Sequence, residues 1–228
     1  KRNDKNMRVY DGNVYHDYFR KIPFMKLKKI LDSNNITLTH SSIFVAGSGN
    51  GTDIYYLNKM YDAKVYACDI AYVPIEAAVK SFHNTDGFVA SINKLPFKDC
   101  SFDYAYVAAS LHHLCEPLCG LYELLRVSKK GVIVIEPNDS FFARIAVLLG
   151  IAHQVEEAGN YVYRFNAKEV VKITKSLFCK CSIVRFFALH KIAKNRLHFM
   201  FLKFLNTILN MICPSQGNYI IFIIQKST

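Results

Sequence analysis

The stretch SSIFVAGSGNGTDI, Ser41 to Ile54, decides the fold. A short apolar run, SIFVA, meets three glycines at alternate positions, Gly47, Gly49 and Gly51, and then a segment able to begin a helix. Such a strand–turn–helix junction needs glycine because the backbone must turn sharply and approach a ligand closely, while the free amides of the helix start attract anionic or polar groups. A phosphate-binding P-loop is excluded, since no Gly-Lys-Ser/Thr follows, and the dinucleotide fingerprint G-x-G-x-x-G would require glycine at Thr52. The spacing is instead G-x-G-x-G. Asp69, eighteen residues after Gly51, ends the next apolar run, where a doubly wound fold uses an acid to accept hydrogen bonds from ribose hydroxyls.

Working outward, strands are expected at 42–46, 64–69, 87–91, 102–109 and 130–137, with helices at 52–60, 73–83 and 116–128 between them. Further on come helices near 141–151 and 167–178, a strand at 180–188, a helical run at 190–212 and a last strand at 218–226. Apolar strands alternating with helices imply a parallel sheet covered on both faces, with the ligand at the carboxyl ends of the first strands. In the N-terminal part, Phe24, Leu27, Ile30 and Leu31 recur at helical spacing, and Pro23 is expected to start that segment.

Composition sets limits on function. The 228 residues suffice for one domain with a sizeable core, and 51% of them are hydrophobic. Seven irregularly spaced cysteines fit reduced thiols in a cytoplasmic protein better than a disulfide framework. Cys115/Cys119 and Cys179/Cys181 are the close pairs, but no second pair of two-to-four-residue spacing completes a four-ligand zinc site, so no metal is expected from them. The net charge is +11, and from Val170 to Thr228 there are nine Lys/Arg and no acid. A one-signed field attracts anionic head groups, acidic substrates or nucleic acid. No run reaches the roughly 18–20 apolar residues needed to span a bilayer.

The segments NKLPFKDCSFDYAYVAASLHHL (93–114) and LYELLRVSKKGVIVIEPN (121–138) extend the reading. Together with the glycine turn they resemble the class I S-adenosylmethionine-dependent methyltransferases, nearest to the ubiquinone- and menaquinone-biosynthesis and small-molecule group. The resemblance covers residues 41–138. It implies a Rossmann-like, seven-stranded, mostly parallel sheet with an antiparallel last strand, helices on both faces and an N-terminal helical lid. The expected organisation is a single domain, 1–228, with the lid at 1–40, a cofactor-binding half at 41–138 and a substrate half at 139–228.

Carried over by resemblance, Gly47, Ser48, Gly49 and Gly51 would line the methionine and ribose of S-adenosylmethionine. Asp69 would bind the ribose hydroxyls, Ile70, Ser91 and Ile92 would surround the adenine, and Ala108 would approach the sulfonium. Tyr15, or Tyr10, would close over the cofactor. Two positions depart from the family: Val45 stands where an acid usually precedes the first glycine, and Ser91 where an acid usually serves the adenine. Asp53, in the first helical turn, could replace the first of these or serve the helix dipole.

His112 and His113 follow the fourth strand and are the candidate bases, His112 first, for an acceptor that must lose a proton. Glu136 and Asn138 end the fifth strand and could face the acceptor, or Glu136 could only satisfy loop amides. In 195–213 the polar residues Lys203, Asn206, Thr207 and Asn210 form a narrow stripe on an otherwise apolar helix. That helix could be core, a homodimer contact, a lid over a lipid-like acceptor, or a peripheral membrane-surface element. The expected activity is methyl transfer to an oxygen of a small or lipid-linked acceptor. The alternatives are a nucleic-acid methyltransferase gripping phosphates with its basic C-terminal region, and a non-catalytic partner subunit of the same fold.

Overall fold

The computed structural model describes residues 14–156, 159–189 and 195–226, with side chains from Tyr18 onward at the N-terminal end. Seven strands form one sheet: β1 (Ser42–Ala46), β2 (Lys64–Asp69), β3 (Thr85–Val89), β4 (Phe102–Ala108), β5 (Ser128–Pro137), β6 (Lys180–Phe186) and β7 (Tyr219–Gln225). Their order is β3-β2-β1-β4-β5-β7-β6. The first five pair in parallel, and β7 runs antiparallel to both β5 and β6. Strand order reverses between β1 and β4, which places the ligand crevice at their carboxyl ends.

Seven α-helices cover the sheet: α1 (Val14–Ser33), α2 (Thr52–Tyr61), α3 (Tyr72–Ser81), α4 (Pro117–Val127), α5 (Phe141–Leu148), α6 (Ala167–Ser176) and α7 (Arg196–Ile212). The central strands are buried on both faces, with Ile43, Phe44, Val45 and Ala46 all at 0% exposure, which explains why they read as unbroken apolar runs. Two apolar clusters result. One joins α1 and α2 to the sheet, and the other joins α4 and Val170 of α6 to the opposite face.

Two expectations need correction. Pro23 lies inside α1 rather than at its start. Phe19 and Ile22 before it and Phe24 and Leu27 after it are all buried, and each such side chain contributes about 1.5–3 kcal/mol. Packing on both sides of the proline therefore carries the helix past its missing amide bond. The third strand is Thr85–Val89, two residues earlier than expected, so Ser91 sits in the loop beyond it.

The segments that carry the family resemblance also have structural work. Arg126 of α4 donates to the carbonyls of Leu95 and Phe97 and pairs with Glu123 and Asp99. Glu123 in turn accepts from the Leu95 amide at 2.9 Å. The LPF loop is thus stapled to α4. Asp103 accepts from the amide and hydroxyl of Ser42 and pairs with Lys130, tying β1, β4 and β5 together at their amino ends. None of the seven cysteines is in a disulfide, and no described helix is long and apolar enough to cross a membrane.

Candidate active site

The turn after β1 closes on itself through Gly51 N to Ser48 O at 2.9 Å. Gly47 and Gly51 both have positive φ, +61° and +80°. A Cβ at Gly47 would lie 2.3 Å from Ser110 Oγ, and one at Gly51 2.7 Å from the Phe82 ring, so conformation and space both require glycine there. Asp69 fixes the turn from β2: one carboxylate oxygen accepts from Gly49 N and the other from Ala71 N, each at 3.0 Å.

These groups open onto a cleft of about 420 Å3. The structure brings Gly47, Ser48, Gly49, Asp69, Ile70, Ser91, Ile92, Ala108 and His113 together around it. Gly51 does not line the cleft; it packs under the turn against Phe82. Ile70 is 78% exposed, an apolar side chain left at the cleft edge for a ligand to cover. Ser48 is buried, yet its hydroxyl has no partner among the described residues. An orphaned donor–acceptor in a glycine cradle beside an acid fits a polar nucleoside such as S-adenosylmethionine. The backbone of Tyr15 belongs to α1, while its side chain, and all of Tyr10, lie outside the described residues.

Sequence reasoning left Asp53 a minor role, and the structure gives it a larger one. It lines both the cleft and an adjoining recess that also contains Arg20, Phe24, Tyr106 and Tyr219. Tyr106 Oη donates to Asp53 Oδ1 at 2.9 Å, and burial raises the carboxyl from 3.8 to about 6 despite that bond. Val45 pairs in register with Tyr106 and is wholly buried, so the family's usual acid position is apolar core here while Asp53 sits next to it. The signal was present in the sequence as an acid in the first helical turn, but its reach depends on the register of β1 against β4.

Beyond β4 the chain bends at Ala109, whose φ is +47°, an uncommon left-handed conformation for alanine. The bend aims the amides of Ser110 and Leu111 at Glu136 Oε1, at 2.9 and 2.7 Å. Glu136 Oε2 meets His112 Nδ1 at 2.6 Å. His112 and Glu136 are therefore buried together behind the cleft, and His113 is the histidine that reaches it. Burial pulls the His112 pKa down, but Glu136, aided by Glu156, outweighs it and holds the imidazole above its ordinary value. His113 Nδ1 meets Glu156 Oε2 at 2.7 Å. Asn138 does not face an acceptor either: its side-chain amide donates to Gly217 O at 2.6 Å, joining β5 to the start of β7.

The sequence and fold comparisons agree with this geometry. Residues 44–135 match the family described as methyltransferase domain. That stretch, less than half of the chain, is similar to a methyltransferase domain. No curated protein matches it in sequence. Among solved structures it is similar to an S-adenosylmethionine-dependent methyltransferase from Aquifex aeolicus, with 19% identity, TM-score 0.57 and 96% of each chain covered. It is also similar to the Haloferax volcanii complex between the Trm112 methyltransferase activator and a methyltransferase, with 10% identity, TM-score 0.63, and 95% of this chain and 99% of that chain covered. A third is a Haemonchus contortus N-methyltransferase in complex with phosphomonomethylethanolamine and S-adenosylhomocysteine, with 16% identity, TM-score 0.58, and 88% of this chain and 52% of that chain covered. At these identities the likeness establishes the fold.

Proposed function

We propose that the protein is an S-adenosylmethionine-dependent methyltransferase acting on an oxygen of a small or lipid-linked acceptor. The observation that carries this reading is the convergence of the glycine turn, Asp69, the unpartnered Ser48 hydroxyl and His113 on one cleft. When bound, S-adenosylmethionine supplies a methyl group already activated by its sulfonium. The chain's own task is then to position, to exclude water and to manage one proton. Asp69 retains lone pairs for ribose hydroxyls, Ile70 and Ile92 offer apolar cover for the adenine, and Asp53 offers a carboxylate to the methionine ammonium. His113 is the chain's candidate base at the cleft, and His112 supports it from behind.

A lipid-linked acceptor draws support from α5 and α7. Phe141, Leu148 and Leu149, and Leu197, Phe201 and Phe204, leave large apolar side chains exposed on a part of the chain that carries no acid after Glu169.

Calorimetry with S-adenosylhomocysteine tests the reading. Wild type is expected to bind one equivalent. Asp69→Ala is expected to weaken binding by roughly tenfold to a hundredfold, the value of about 1.5–3 kcal/mol for a charge-assisted hydrogen bond. Absence of binding to wild type at millimolar ligand would sink the proposal.

A further inference from the structure

We propose that His112, His113 and Glu156 form a binding site for one divalent transition-metal ion at the edge of the cofactor cleft, with Glu136 orienting the first ligand. Nothing in the cysteine spacing points to this site. It is assembled from the end of β4 and a distant turn after α5.

The donor atoms of the three residues all lie within 4.8 Å of one another. His112 Nε2 and Glu156 Oε1 are 3.5 Å apart. Two ligands held at about 2.0–2.1 Å from one ion at a tetrahedral angle are separated by about 3.4 Å. The His112 and His113 rings lie against each other, with centroids 4.1 Å apart. Glu156 is fixed at the base of a turn closed by Glu156 N to Asn160 O at 3.0 Å and Gly159 N to Glu156 O at 2.8 Å.

The arrangement behind the donors is that of a supported metal ligand. Glu136 Oε2 accepts from His112 Nδ1, and Glu136 is itself held by two backbone amides. With the proton kept on Nδ1, the lone pair of Nε2 is directed at Glu156. A carboxylate that fixes tautomer and ring orientation in this way is the usual outer partner of a metal-bound histidine.

His113 Nδ1 is likewise claimed twice, by Glu156 Oε2 at 2.7 Å and by the Asn160 amide at 3.3 Å. Among the described residues no Lys or Arg forms an ion pair with Glu136 or Glu156. An ion held by both imidazoles and Glu156 would replace these close contacts with ligand bonds.

Two imidazoles and one carboxylate suit zinc, cobalt, manganese or ferrous ions, and three protein ligands leave at least one coordination position open. His113 is the ligand that lines the cleft, so the open side adjoins the acceptor space. With the ion bound, His113 is a ligand rather than the base, and an acceptor hydroxyl on the ion would lose its proton to solvent more readily under the ion's charge. This consequence rests on the methyltransferase reading, whereas metal binding itself does not.

The full chain, stripped of metal, is titrated with Co2+ and followed by calorimetry and visible absorption. Wild type is expected to take up one equivalent and to show ligand-field bands of a four- or five-coordinate ion. Glu156→Gln, which preserves size at a partly exposed turn, is expected to weaken binding by about tenfold or more, as is His113→Ala, with unchanged thermal melts. The proposal is overturned by non-saturable uptake, by equal affinity in wild type and both variants, or by a thiolate charge-transfer band that assigns the ion to cysteines. Stoichiometric Co2+ binding by a wild type that does not bind S-adenosylhomocysteine would support the metal site while removing the cofactor reading. Loss of Co2+ binding in Glu156→Gln with S-adenosylhomocysteine binding retained supports both.

Discussion

The chain up to Pro137 and helices α5 and α7 beyond it dispose of their apolar residues differently. In the first part, strands and helices turn apolar faces inward, and α2 and α4 bury Ile54, Leu57, Leu121 and Leu124 completely or nearly so. In the second part α7 is divided. Leu202 packs in the core, Asn206 beside it is buried and accepts from Leu189 N, and Asn210 bonds to both the amide and carbonyl of Phe187, whereas Lys203 and Thr207 of the same stripe are exposed. Its apolar residues Leu197, Met200, Phe201, Phe204, Met211 and Ile212 point outward. α5 does the same with Phe141, Leu148 and Leu149, and both helices pack against the turn at Pro214–Gln216. Large apolar side chains left exposed on two helices form a candidate contact surface for an apolar neighbour. The first part is specified by its core; the second shares that core through β7 and adds this outward face.

The largest effect is expected where the two parts meet, at Glu136. Fully buried, it serves two backbone amides and His112 at once. Glu136→Ala would leave both amides and an imidazole without their acceptor in a site closed to solvent. Removing one partner of a buried hydrogen-bonded pair costs about 3–5 kcal/mol. Denaturant unfolding should show a loss of that size, and a loss below about 1 kcal/mol would mean that the cluster is held together by other contacts.

A smaller effect should appear in the outward face alone. Sedimentation with vesicles containing anionic lipid should capture wild type, and the double variant Phe201→Glu/Phe204→Glu should bind at least about a hundredfold less, as each phenylalanine contributes roughly 1.5–3 kcal/mol when covered. Melting temperature should not fall, because both rings are exposed, 59% and 64%. Capture unaffected by the double variant, or a wild type that forms a stable dimer through this face and ignores vesicles, would replace the membrane surface with a different neighbour.

The same contrast governs what could be read without coordinates. The strands of the first part were legible because a strand buried on both faces leaves an apolar run between turn residues, and SIFVA and KVYACD are such runs. Gly47 was legible because only glycine fits its backbone and space. Cluster chemistry was not. His112 was expected at the acceptor, but the left-handed bend at Ala109 turns it back toward Glu136 and leaves His113 at the cleft. Glu156 had no sequence signal at all, since its role comes from contact with two histidines more than forty residues earlier in the chain. The polar stripe of α7 was visible as a pattern, but periodicity does not say which face of a helix points inward.

The finest test concerns Asp53, at the boundary between core and cleft. Its carboxyl is raised from 3.8 to about 6 by burial, with the Tyr106 hydroxyl opposing the shift. The protonated form is therefore favoured by folding. That contribution to stability is fully present below about pH 3.8 and is lost as pH rises through about 6. Cofactor binding should run the other way, because only the ionised carboxylate attracts the methionine ammonium. S-adenosylhomocysteine affinity should tighten several-fold between pH 5 and 7 in wild type, within the ceiling of roughly tenfold per pKa unit. In Asp53→Asn the pH profile should flatten at the weaker limit. A profile that keeps its slope in Asp53→Asn would transfer the titration to another group and leave the position of Val45 without an acidic substitute.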